Sequence, residues 1–141
     1  MDKNEREGGR WLAQARHDVR AASVSRENGF PEVACFLAQQ SAEKALKAFL
    51  YAQGERPVLG HATHILVQRC AEYRASFLSL LDGCRRLDQF YIATRYPSGI
   101  PDGIPHDVFT DDQACEAVAT AGQIIATVAQ HLDEGRVPSQ M

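Results

Sequence analysis

The chain has 141 residues, 45% of them hydrophobic and 23% charged, with a formal net charge of -3. That length suits one domain with one core, because a chain of this size buries roughly 68–70% of its unfolded surface, and the slightly acidic balance gives no electrostatic prior for nucleic acid or anionic membrane, so that any phosphate binding must be local. The charged opening MDKNEREGGR lacks an apolar h-region and no apolar run approaches about 18 residues, which predicts a soluble cytoplasmic protein with no membrane association.

GGRWLAQARHDVRAASVSRENGF places Leu12, Ala15, Val19 and Ala22 at helical spacing, predicting an amphipathic helix from about Arg10 to Asn28 that Gly29 ends. Residues 1–9 read as a disordered tail. In FPEVACFLAQQSAEKALKAFLYAQG, Pro31 suits a first turn, Glu32 favours its positive end and Gly54 stops the helix. This second helix is apolar on more than one side, as a central bundle member should be. THILVQRCAEY predicts a short third helix with Thr63 as its N-cap. A fourth helix is predicted from roughly Ser76 to Thr94, its Phe77, Leu80, Leu81, Cys84, Leu87 and Tyr91 keeping the 3.6 period.

TRYPSGIPDGIPHDVFTDD then interrupts the helical pattern with a connection rich in proline and glycine. Irregular loops longer than about 12 residues are usually functional or disordered. In the last helix Thr110 caps, Gln113 reaches back, Asp111 and Asp112 favour the dipole, Phe109 is placed as a hydrophobic staple, and the period runs to about His131. Residues 133–141 read as a frayed tail. No strand pattern is present, so the sequence predicts an all-α, antiparallel up-and-down four-helix bundle with one additional short helix, over residues 10–132. The four cysteines, Cys35, Cys70, Cys84 and Cys115, form no C-x-x-C pair, sit in apolar helical stretches and read as reduced core thiols.

Glu43 and Lys47 stand at i, i+4 on the second helix and read as a solvated ion pair. Gln39 and Gln40 point about 100° apart, so one of them faces another helix and needs hydrogen-bond partners there. His61 and His64 lie three apart without a third ligand, which argues against zinc, and His17 and Asp18 read as surface residues. No Walker loop, G-x-G-x-x-G or nucleophile motif is present, and neither metal nor cofactor is expected. Arg95 has two uses. A cation in a last helical turn stabilises it by about 0.3–1 kcal/mol, and a guanidinium beside a proline-stiffened loop can bind a phosphate bidentately.

ACFLAQQSAEKALKAFLYAQG and LDQFYIATRYPSGIP, followed by HDVFTDDQACEAVATAGQIIATV, closely resemble the HEPN domain, a small helical module of prokaryotes and higher eukaryotes. WLAQARHDVRAA and THILVQRC fit the same pattern, so the resemblance runs from Trp11 to about Leu132. It implies a four-helix bundle plus a short helix that is usually homodimeric, often encoded beside a small nucleotidyltransferase and associated with nucleotide binding. Many relatives, including toxins of toxin–antitoxin pairs, are metal-independent ribonucleases whose R-x4-6-H motif meets at the dimer cleft. Here Arg95 fits the Arg, but ten residues separate it from His106, a spacing closer to the nucleotide-binding subset. The resulting expectation is a nucleotide-binding module, with Arg95 and Tyr96, and Gln40, Lys44 and Lys47 of the second helix, as candidate phosphate contacts. The alternative is a metal-independent RNA endonuclease using Arg95 and His106 as its catalytic pair.

Overall fold

The structure is a computed structural model and describes residues 1–135; the expected frayed tail falls mainly outside that range, with Asp133 and Glu134 still helical. Seven α-helices occur among the described residues, with no strand: α1 (Lys3–Glu27), α2 (Pro31–Ala52), α3 (Thr63–Ala71), α4 (Leu81–Asp88), α5 (Phe90–Ala93), α6 (Pro105–Val108) and α7 (Asp111–Glu134). Two 3₁₀ turns, Ala75–Leu80 and Pro97–Gly99, complete the order.

The predicted bundle is present, with α1, α2, the Ala75–Ala93 rod and α7 running alternately up and down. Arg26 at the end of α1 meets Asp111 at the start of α7, with Nε 2.9 Å from Oδ1. At the opposite end Phe77 lies against His131 of α7, ring centroids 4.8 Å apart. The buried centre is built on α2, whose Leu46, Phe49 and Leu50 pack with Leu66, Phe77, Leu87, Ile124 and Val128 from the surrounding helices. Alanines 34, 38, 42, 45 and 48 of α2 are fully buried and let neighbouring helices come close. The predicted breakers hold: Gly29 and Gly54 adopt φ of 85° and 99°, the left-handed conformation that an L side chain resists.

Two boundaries and one buried face differ from the sequence reading. The first helix begins at Lys3, not near Arg10, so residues 3–9 are helical. The Asp2 side chain accepts the Glu5 N–H, and Gly8 lets this first part of α1 pack directly on Ala48 and Ala52 of α2. On α1 Asp18 joins the fully buried face with Leu12, Ala15 and Ala22, while Val19 packs half-buried against the core. The predicted fourth helix is one rod in three pieces, opening as a 3₁₀ turn and tightening at Gln89, whose N–H bonds to Arg86 O.

The long connection is less irregular than its composition suggests, since prolines open both the 3₁₀ turn at Pro97 and the single turn of α6. Gly99 lies so close to Ala93 that a Cβ there would sit 2.8 Å from its Cα. α7 opens with the expected capping box between Thr110 and Gln113, and Phe109 packs edge-on against Phe90 at 5.9 Å. All four cysteines are free; three are buried, but Cys115 is exposed, contrary to its reading as a core thiol.

Candidate functional site

One edge of α2, through Glu32, Phe36, Gln40, Glu43 and Lys47, steps by three or four residues and so forms a continuous stripe. The α2–α3 loop through His61, and the connection after α5 through Arg95 and His106, dock onto it. At its start His106 of α6 places Nδ1 2.9 Å from Glu32 Oε1 and its ring 6.2 Å from Phe30. The hydrogen bond to Glu32, reinforced by its negative charge, raises the His106 pKa above the ordinary 6.5.

One turn further on, Arg95 lies over three aromatic rings, its guanidinium carbon 4.5 Å from the centroid of Phe36, 4.7 Å from Tyr91 and 5.1 Å from Tyr96. Its Nε–H donates to Tyr91 O at 2.8 Å, which is the expected helix-end role. No carboxylate pairs with Arg95 among the described residues, so the two Nη groups remain an open fork on an exposed, aromatic-backed surface.

Beyond Phe36 the stripe becomes a buried polar network. Gln39 is fully buried and donates Nε2 to His61 O at 2.9 Å and to Asp88 Oδ1 at 3.2 Å. Gln40 donates to Gln39 Oε1 and to Glu43 Oε1. Glu43, 5% exposed, also receives the Lys47 ammonium at 3.1 Å and faces His61 Nδ1 at 3.2 Å. Asp88 closes the network by accepting the backbone N–H of Thr63 and of His64, the Thr63 hydroxyl, and His64 Nδ1. Burial works against its ionisation, but the His64 and Thr63 hydrogen bonds outweigh it and hold the carboxyl below its ordinary range. Thr63 is therefore not the cap of α3; the capping oxygen arrives from Asp88 at the end of α4, while the Thr63 hydroxyl donates into the same site.

The six sequence candidates thus separate. Arg95 and Tyr96 are in contact, and His106 lies on the same α2 edge one turn before Phe36. Gln40 supports Glu43 and Gln39 from within. Lys47 is buried in its ion pair with Glu43, which corrects the solvated reading, and its ammonium also lies 5.8 Å from the Trp11 ring. Lys44 turns toward α1 and pairs with Asp18, itself buried and not a surface residue. Sequence reasoning missed Phe36, Tyr91, Glu32, Asp88 and His61. The available signal was the pair of glutamines in the most apolar helix, which needed partners that could only come from elsewhere in the chain.

Among curated proteins no match is found. A crystal structure of TT1696 from Thermus thermophilus superposes with a TM-score of 0.84 at 37% identity, covering 88% of this chain and 97% of that one. The crystal structure of ST0689, an archaeal HEPN homologue, superposes with a TM-score of 0.75 at 32% identity, covering 89% and 98%. The profile of the HEPN domain matches residues 9–132. With that match spanning the bundle from α1 to α7, the chain belongs to the HEPN domain family.

Proposed function

We propose that this chain is a nucleotide-binding HEPN module that acts as a homodimer, with or beside a small nucleotidyltransferase partner in the cytoplasm. The observation that carries this reading is Arg95, whose planar fork is held over Phe36, Tyr91 and Tyr96 with no acidic partner among the described residues. An unpaired guanidinium beside the exposed Tyr96 and the half-buried Phe36 and Tyr91 suits a ligand that joins a phosphate to a flat base. Exposed Phe30, Val33, Ile92, Ile104 and Val108 lie on the same segments and supply apolar surface for a second copy. A monomeric mass in sedimentation at micromolar concentration would count against the dimer.

The test is calorimetric titration with AMP and ADP. Arg95→Ala should weaken binding by about tenfold to a hundredfold, the effect of losing a charge-assisted contact of roughly 1.5–3 kcal/mol. Unchanged affinity would leave Arg95 as a helix cap only. The ribonuclease reading has one observation in its favour, the carboxylate that Glu32 sets behind His106. It predicts metal-free cleavage of single-stranded RNA that disappears in both Arg95→Ala and His106→Ala.

A further inference from the structure

His61 is an exposed loop residue that the interior of the protein holds at two points. Its carbonyl receives the amide of Gln39, which is fully buried, and its Nδ1 faces the carboxylate of Glu43, buried on the same helix. A buried glutamine and a buried carboxylate need partners, but an ordinary core would supply them internally. Here Gln39 turns to the backbone carbonyl, and Glu43 to the ring, of a residue whose side chain is 63% exposed. Because a carboxylate only accepts, Nδ1 carries the proton of that contact, and Nε2 is the nitrogen left for a ligand.

The ring also has a fixed plane. It stacks on Tyr91 with centroids 5.4 Å apart and 17° between planes, and Arg95 lies 4.7 Å from that same Tyr91 centroid. His61 and Arg95 therefore both border the Tyr91 side chain. His106 shares no ring with Arg95 and is tied to Glu32. His61, Ala62, Asp88 and Tyr91 line a cavity of about 210 Å³. That is below the roughly 300–1,000 Å³ of a pocket enclosing a whole small ligand, so it takes one group of a ligand that extends beyond it. The oxygens of Asp88 on that wall are already engaged by Thr63, His64 and Gln39.

We infer that His61 is the second anion-contacting side chain of the Arg95 site, binding through Nε2 a phosphoryl oxygen of a diphosphate-bearing ligand whose other phosphate lies on Arg95. The inference rests on the nucleotide-binding reading above and names the residue that completes it. Doubly protonated, the ring donates Nδ1–H to Glu43 and Nε2–H to the phosphate, so it lies between two anions. Glu43 and Gln39 act as positioning residues.

The experiment titrates ADP and inorganic pyrophosphate into the wild-type protein, His61→Phe, Arg95→Ala and, as a control, His17→Ala on the exposed face of α1. His61→Phe keeps an aromatic ring on Tyr91 and removes only the nitrogens. Its affinity for both probes should fall about tenfold, while His17→Ala binds as wild type. Loss for ADP alone would assign His61 to the nucleoside instead of the phosphates and overturn the inference. Wild-type affinity in His61→Phe together with loss in Arg95→Ala also overturns it, and leaves the nucleotide-binding reading intact. No binding by the wild type removes both. Should His61→Phe fold poorly, the histidine ring signals of the wild-type protein decide: pyrophosphate should shift those of His61 and leave those of His106 in place, and the reverse pattern refutes the assignment.

Discussion

His106 gains a carboxylate on folding, and the sign of the resulting pH dependence is fixed by that. Its folded pKa lies above 6.5 because Glu32 bonds to it and attracts its charge. The stability this pair contributes is fully present below the unfolded value of about 6.5 and is lost as pH rises through the higher folded one. Glu32→Gln should therefore lower the His106 midpoint in an NMR titration, and a midpoint that stays put would mean the pair does not form in solution. Arg95 could be found from sequence because its helix-end role and its proline neighbours are local. His61 could not, since Glu43 and Gln39 reach it across 18 and 22 positions and no spacing rule links them. Lys44 was misplaced for a plainer reason. One step along a helix turns a side chain by about 100°, which sends Lys44 to Asp18 while Glu43 faces the site.

Two helices have ends or faces whose strength a single substitution can read. Asp88 caps α3 from outside, taking two backbone N–H groups and the Thr63 hydroxyl. Asp88→Asn replaces one accepting oxygen with a donor, and should destabilise the protein by about 1.5–3 kcal/mol at neutral pH by denaturant unfolding. The difference should shrink in acid, because a carboxyl with a lowered folded pKa stabilises above its unfolded value of 3.8 and stops doing so once protonated. Gly8 and Gly9 give a paired test on α1. A Cβ on Gly8 would meet Ala48 O at 2.8 Å and Ala52 Cβ at 3.0 Å, whereas one on Gly9 meets nothing within 4 Å. Gly9→Ala should stabilise by about 0.5–1 kcal/mol through helix propensity, and Gly8→Ala should lower stability by roughly 1–3 kcal/mol through overpacking. Thermal unfolding in which both alanines stabilise alike would mean α1 is not seated tightly on α2. The capping box of α7 was legible because Thr110 and Gln113 are three residues apart, but the α3 cap was not, because its acceptor lies 25 residues away.

At the scale of the whole molecule, the 3.6 period exposed the four long helices, since three of them bury one face against the fourth, α2, and it missed the segmentation of the Ala75–Ala93 rod because the apolar face continues across Gln89. The free cysteines then acquire a use as clocks. Cys35, Cys70 and Cys84 sit on three different helices and are buried, while Cys115 lies open on α7. Burial pushes Cys35 and Cys84 up to about 12 and Cys70 higher still, so none of these is a thiolate at neutral pH. A thiol reagent should label one group quickly and all four after denaturation, and two or fewer in the denatured chain would reveal disulfides. The slow labelling of the other three proceeds only through opening of the helix that carries each. A shared rate makes the bundle one cooperative unit, whereas an early Cys70 would show the short α3 leaving first, and with it the anchored end of the His61 loop.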